Sequence, residues 1–486
     1  MGAASKNSRK GKWLYFYLFV WYAAQGRFSS LFLQERGLGE TEIGTLLSLN
    51  SGVGLVVNPI GAFIADNLVR RGYVYGREVV VAILSILTTV AFSLHALPKF
   101  VQPQERFLCF VIIRLIYAAC QGPIYSVISG IVLKTLSDSG LSKEAFGQDR
   151  LFGAISWAIV SVLLGIAMDY QRSTDIMYTL VPITAGLLLV CIYFVTWDNS
   201  AVGATPTVAA DGHAETACRC HSEDSAVHVD STGSGGEVSS DKAENILPLP
   251  EVSSSRCCDS VREMMQVLGL LFGTSDRAMF TILCVVLSMG TSIIEDLVFL
   301  YFRNGLGASY TLCGISVVVT VIVEVPVFHY SKYILTVCGR NTLLLLACFS
   351  YVTRVVGYTF VPNGWWVLLL EPLHGVTYGC VCTAAVDHAA SIAPPGLEST
   401  TQAVMGALQG GLGSLIGTSV GAYVEFTYGS HALYRGAATV VAVTTMCCAA
   451  VLTAANVNLV KSSDIKEVAE VKYEMVAFHD PDECEE

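Results

Sequence analysis

Charged side chains are scarce in this chain: Lys, Arg, Asp and Glu make up 14% of its 486 residues, while 53% are hydrophobic. Soluble domains carry about a quarter of their residues charged, so this composition excludes an ordinary soluble globular protein and indicates a membrane one. There is no phosphate-binding GxxxxGKS/T loop and no HExxH pair, which argues against ATP-driven transport and against that zinc-hydrolase signature. Nothing points to an enzyme or to a resident cofactor. The short loops expected outside the cytoplasm carry no cysteine, whereas Cys109, Cys120, Cys284, Cys348, Cys447 and Cys448 lie in apolar runs, so no disulfide framework is expected. The basic opening MGAASKNSRKGK is followed by no small-residue cleavage site and reads as the lead into a retained helix. Gly2 is present, but Lys6 stands where a myristoylation signal wants Ser or Thr. The net charge of −11 gathers in the central segment and in the terminal HDPDECEE, and it does not suggest a nucleic-acid partner.

What the chain has in abundance is long apolar runs. Twelve of them are long enough to cross a bilayer, at 13–33, 43–65, 79–97, 107–133, 151–168 and 176–197, and again at 280–302, 312–330, 342–360, 365–392, 401–426 and 432–460. The fold class expected is an all-α membrane protein of twelve transmembrane helices in two pseudo-symmetric six-helix bundles. Its organisation is a first bundle at 1–197, a linker at 198–276, a second bundle at 277–460 and an acidic tail at 461–486. The linker, with STGSGGEVSS at its heart, lacks the apolar content for a core and is expected to be disordered. His213, Cys218, Cys220 and His221 within it resemble a ligand cluster, but no second pair follows at finger-like spacing and no metal site is expected. Lys6, Arg9, Lys10, Lys12, Arg70, Arg71, Arg77, Lys134, Lys143, Arg150, Lys332 and Arg340 fall on one side, as do the lysines of the tail. That excess places both termini in the cytoplasm; plasma membrane and endolysosomal membrane are equally compatible with it. In the tail, YEMV at Tyr473 has the form of a sorting signal that is common by chance.

The two sets of six echo each other. FLQERGLG from Phe32 matches LYFRNGLG from Leu300, and YGR at Tyr75 matches CGR at Cys338. Duplicated six-helix halves are a transporter signature, with the substrate site near the midplane between them. Three stretches carry a family resemblance: FGQDRLFGAISW from Phe146, EVPVF from Glu324, and LLEPLHGVTYG with APPGLESTTQ. On these the chain resembles the major facilitator superfamily over nearly all its length, in the lac-permease-like branch that includes the orphan "domain-containing protein six" type. The superfamily's loop motif survives as Pro59, Ala62, Asp66, Arg70 and Arg71. The resemblance implies that Asp66, Arg70, Arg71 and Arg150 latch a cytoplasmic gate. It also implies that the first, fourth, seventh and tenth helices line the cavity. One departure matters: the branch's tenth-helix acid follows its histidine, whereas here Glu371 precedes His374 and Thr377 stands in the acid's place.

Aligning the halves sets Arg114 opposite Glu371, Tyr117 opposite His374, Gln121 opposite Tyr378 and Arg27 opposite Glu295. Glu371, His374, Tyr378 and Cys382 share one face of an apolar run. Unpaired, Arg27, Arg114, Glu295 and Glu371 would cost roughly 3 kcal/mol each, about 12 kcal/mol together, which rivals a domain's stability. They must be paired or wet. The expectation is that Arg27 or Arg114 pairs with Glu295, Asp296 or Glu371 when the outer mouth is closed, and that substrate or a proton breaks the pair. His374 is a proton-relay candidate because imidazole titrates near neutrality, and Glu324, beside Pro326, is a further cation or proton site. Arg354, Asp387 and His388 read as structural. Gly406, Gly410, Gly413, Gly417 and Gly421 recur at close to four-residue spacing, a helix-packing stripe.

The function expected is secondary active transport by alternating access, proton-coupled, of a polar organic solute such as a sugar, nucleoside or similar metabolite. The partners are that solute and the bilayer, and a monomer suffices. The alternatives are an uncoupled facilitator and a non-transporting receptor on the same fold, the latter weakened by very short non-cytoplasmic loops.

Overall fold

The computed structural model describes residues 2–138, 144–202, 254–394 and 397–450, and among these there is helix but no strand. The N-terminal half holds α1 (Gly2–Gln25), α2 (Ser29–Gln34), α3 (Glu40–Arg70), α4 (Gly76–Ser93), α5 (Pro103–Asp138), α6 (Glu144–Gln171) and α7 (Met177–Val202). The C-terminal half holds α8 (Ser254–Leu271), α9 (Ser275–Leu300), α10 (Tyr310–His329), α11 (Ser331–Cys338), α12 (Arg340–Tyr358), α13 (Pro372–Ile392), α14 (Glu398–Gly406) and α15 (Ser414–Tyr428), followed by α16 (Ser430–Ala450). Eleven helical stretches are long and apolar enough to cross a membrane, and α1 with α2 makes the twelfth crossing. Helix ends follow local chemistry. Thr274 and Ser309 cap α9 and α10 by accepting from the N–H groups of Arg277 and Leu312. Gly339 and Gly429 take positive φ at the turns after α11 and α15.

The apolar run at 365–392 is not one helix. A 3₁₀ turn over Gly364–Leu369 precedes α13, which begins at Pro372 with Glu371 as its N-cap. Proline donates no N–H and restricts the residue before it, so it suits the first helical position and breaks a helix from upstream. The expected linker also differs at its margins: α7 runs to Val202 and α8 is a helix whose Val267 and Leu271 are buried. Its apolar positions recur at helical spacing, which the overall polarity of the segment conceals. The His213, Cys218, Cys220 and His221 cluster and the tail with YEMV lie outside the described residues.

The halves meet along two antiparallel helix pairs, α6 with α10 and α3 with α15. Glycine permits both approaches: a Cβ on Gly165 would strike the Tyr310 carbonyl, one on Gly314 the Ser161 carbonyl, and one on Gly44 the Ala422 side chain. The glycine stripe near α15 divides its duties. Gly413, Gly417 and Gly421 pack against α9, Gly411 takes Leu55 of α3, and Gly406 and Gly410 face open space. The wide π turn over Ala407–Gly413 rotates the face between α14 and α15, which a regular spacing argument does not anticipate.

One end of the molecule gathers Glu35, Asp175, Tyr310 and His431, and is called here the Glu35 end. The other gathers Asp66, Arg77, Arg340 and Asp387, the Arg77 end.

Candidate functional site

Between the halves lies a cavity of about 330 Å³. On the N-terminal side it is walled by Phe19 and Arg27, by Asn50 of α3, by Arg114, Tyr117 and Gln121 of α5, and by Arg150, Ala154 and Trp157 of α6. On the C-terminal side stand Glu295 and Asp296 of α9, Thr320, Val321 and Glu324 of α10, and His374 and Tyr378 of α13. The spacings 114/117/121, 150/154/157 and 374/378 each keep one helical face on the cavity. Three arginines therefore face three carboxylates across it. Of the residues singled out in the sequence as substrate or proton candidates, all but Glu371 line this space, and Arg150, expected at a cytoplasmic gate, lines it too.

The expected pairing of Arg114 with Glu371 is not what the structure shows. Glu371 is 1% exposed and is held by Arg354 Nη2 at 2.9 Å, the Tyr358 hydroxyl at 2.6 Å and the Thr320 hydroxyl at 3.1 Å. Arg354, equally buried, is thus the true partner. The reason is local: α12 packs along α13, and Glu371, the N-cap residue before Pro372, turns its carboxylate to Arg354 and Tyr358 of α12 within the C-terminal bundle. The Arg27 and Glu295 match is also altered. Arg27 Nη1 donates to the Glu295 carbonyl at 2.8 Å and its guanidinium lies 4.5 Å over the Phe299 ring. The Glu295 carboxylate instead faces His374 Nε2 at 3.9 Å, beyond hydrogen-bond distance. His374 stacks on Tyr378, and its Nδ1 has no partner. Asp296 accepts from the Thr418 hydroxyl at 2.6 Å, and Arg150 donates to the Tyr125 hydroxyl at 2.9 Å. At the Arg77 end, Asp66 binds Arg77 at 2.7 Å, while Arg70 and Arg71 are exposed. Asp387 lies 3.8 Å from Arg340, and His388 stacks on Phe280.

The cavity stops short of the Glu35 end because bonds between the halves close it. The two carboxylate oxygens of Asp169, at the end of α6, accept from the backbone N–H groups of Tyr310 and Thr311 at 3.0 and 2.7 Å. This caps the N-terminus of α10 from the other half, where donors are unsatisfied and the helix dipole favours negative charge. The Tyr310 hydroxyl donates to Glu35 at 2.7 Å, and Glu35 also accepts from the Thr174 N–H and hydroxyl at 2.9 and 2.7 Å. Arg36 braces the cluster by binding Asp175 at 2.6 Å. Beneath it Phe28 packs on Phe299 and Tyr310. Burial acts to raise the Glu35 carboxyl. The hydrogen bonds from Tyr310 and Thr174, with Arg36 nearby, outweigh it and hold the group below its ordinary value.

Sequence reading alone overlooks Phe19, Asn50 and Trp157 in the cavity and Glu35, Asp169 and Tyr310 in the seal. Trp157 was within reach, since it follows Arg150 by two helical turns in FGQDRLFGAISW. The seal was not, because it joins residues far apart in sequence across the two halves.

Comparison with known proteins places this geometry in context. The model of a family described as "MFS_1 like family" matches residues 10–435. The maltose permease of Geobacillus stearothermophilus is 21% identical over 441 residues, covering 89% of this chain and 93% of that protein. The "major facilitator superfamily domain-containing protein 6-like protein A" of Xenopus laevis is 22% identical over 181 residues, 37% of this chain and 30% of that one. Among solved structures, the nucleoside transporter NupG superposes with a TM-score of 0.63 at 14% identity, covering 91% of this chain and 98% of NupG. A POT family transporter in complex with a thioalcohol-conjugated peptide superposes with a TM-score of 0.61 at 13% identity, covering 91% and 95%.

Two outcomes follow from these contacts. Arg354→Ala or Glu371→Ala, by leaving one buried charge alone, is expected to destabilise the chain by about 3–5 kcal/mol, while the Arg354→Met, Glu371→Leu double variant recovers most of that loss; thermal unfolding of the purified proteins measures this, and wild-type stability in either single variant would contradict it. Because the Glu35 carboxyl is held low, its contribution to closure is complete above the ordinary carboxylate pKa of about 4.3 and is lost as pH falls through the lower, sealed-state value. The rate at which a Ser29→Cys thiol behind the seal reacts with an impermeant reagent applied at the Glu35 end, taken relative to an exposed reference thiol at the same pH so that the common loss of thiolate cancels, should therefore be low near neutrality and rise as pH falls through the sealed-state value. Glu35→Gln should raise that relative rate several-fold near neutrality, and an unchanged rate would contradict the role of Glu35 in closure.

Proposed function

The chain belongs to the MFS_1 like family, and from that membership we propose that it is a secondary active transporter that carries a polar organic solute together with a proton by alternating access. Family and fold make the chain a membrane transporter of the major facilitator type. The observation that carries the solute and proton reading is the cavity. Fixed cations on one half face carboxylates on the other, beneath a seal that joins the halves through breakable polar contacts.

In this reading the structure is the state closed at the Glu35 end, and the Glu35 end faces away from the cytoplasm, in keeping with the basic loops at the other face. Solute enters from one side, neutralises charges that otherwise hold the walls apart or together, and shifts the equilibrium toward the state open on the other. The proton is carried at the Glu295 and His374 pair. Their 3.9 Å gap is one that a proton would close into a charge-assisted hydrogen bond and its loss would reopen. Glu324 offers a second carboxylate in the same space. Glu371 is assigned no coupling role, since its bonds to Arg354 and Tyr358 are made within one half and need not change as the halves rock. A sugar or nucleoside suits the cavity's size and polarity, and the likeness to a maltose permease and to the nucleoside transporter NupG supports that class.

Reconstitution into proteoliposomes with an imposed pH gradient and a mixed panel of sugars and nucleosides tests the proposal. Solute entry accompanied by proton movement is expected, with the coupling lost in His374→Ala. Entry without proton movement would make the chain an uncoupled facilitator, and no movement of any solute would overturn the transporter reading.

A further inference from the structure

The three arginines of the cavity are not alike. Arg27 has a hydrogen bond to the Glu295 carbonyl and Arg150 one to the Tyr125 hydroxyl. Arg114 has neither a hydrogen bond nor an ion pair with any described residue. It is 2% exposed, its Nε is buried without a hydrogen-bond partner among the described residues, and the Tyr117 ring lies 4.6 Å from the guanidinium carbon. A guanidinium cannot shed its proton in a protein, so this is a permanent charge in a buried position. A ring face answers it only in part.

The carboxylates present answer it only at a distance: Asp296 acts on Arg114 through space but forms no ion pair or hydrogen bond with it. Asp296 is engaged by Thr418 and Glu295 faces His374. Glu324 stands on the far wall. Yet Arg114 opens on a cavity of about 330 Å³, the size of a small solute. A planar fork of donors, held by its own helix and left unmatched, is the arrangement that recognises a carboxylate or a phosphate.

We propose that the transported solute carries an anionic group, a carboxylate or a phosphate ester, and that Arg114 is the residue that binds it. The inference rests on the transporter reading and narrows it from polar solutes in general to acidic ones. The rest of the solute then lies toward Trp157 and Tyr378, with Glu324 opposite. A solute bearing a cationic group as well would place that group against Glu324, whereas a simple anion would leave Glu324 to a proton.

The test is binding to the purified full-length chain, followed by thermal stabilisation at constant ionic strength, with probes matched in pairs. Glucuronate is compared with glucose, uridine 5′-monophosphate with uridine, and acetate and inorganic phosphate with chloride. At least one anion is expected to stabilise the wild-type chain while its neutral counterpart does not. Arg114→Gln should weaken that anion at least tenfold, with partial recovery in Arg114→Lys. The paired comparison in wild-type protein requires no variant, so a poorly folded Arg114→Gln does not decide the matter. Equal stabilisation by neutral and anionic members of each pair, equal anion binding in wild type and a folded Arg114→Gln, or no stabilisation by any anion would overturn the proposal. Measured uptake of a neutral solute would do the same while leaving the transporter reading intact, and it is the absence of all uptake that would sink the latter.

Discussion

A charge placed between membrane-spanning helices must be answered by another charge, by hydrogen bonds or by water, because the surroundings give it little solvation. Most of this chain's internal architecture follows from how that requirement is met. Arg354 and Glu371 meet it permanently, inside one half, with Tyr358 and Thr320 completing the carboxylate's bonds. Asp169 meets it conditionally, by capping a helix that belongs to the other half. Arg114 meets it only in part, through the Tyr117 ring and the cavity it opens on. These three solutions go with three tasks: holding a bundle together, holding two bundles against each other and, in the proposal above, binding the anionic group of a solute.

The conditional solution gives the molecule its direction. The contacts that tie the halves at the Glu35 end are few, polar and directional, and each is replaceable by water once the helices separate. The glycines at 165 and 314 let α6 and α10 approach closely enough for the Asp169 cap to form. Apolar packing of Phe28 on Phe299 adds contact without fixing geometry. A seal of this kind suits a transporter, since it can open and close repeatedly as the equilibrium between the two states shifts.

Much of this was legible in the sequence. Hydropathy alone located the twelve crossings, and the echo between the halves set Arg27 and Arg114 against Glu295 and Glu371, of which all but Glu371 line the cavity. What failed was partner assignment. Aligning the halves matched Glu371 with Arg114 by depth, but depth does not fix rotation about a helix axis, and the carboxylate of Glu371, the N-cap residue before Pro372, turns toward Arg354. Asp66, expected in a cytoplasmic latch with Arg70, Arg71 and Arg150, bonds to Arg77 across a turn. The π turn at Ala407–Gly413 shows the same lesson for packing, since one wide turn reassigns every glycine beyond it.

Alternating access requires the two ends to move in opposite senses, and spin-label distances measure that directly. In a background with the native cysteines replaced, labels at Gln171 and Asn363 report on the Glu35 end, and labels at Val74 and Val337 on the Arg77 end. Breaking the α10 cap with Asp169→Asn should lengthen the first distance and shorten the second. Both distances unchanged, or both moving the same way, would contradict the account.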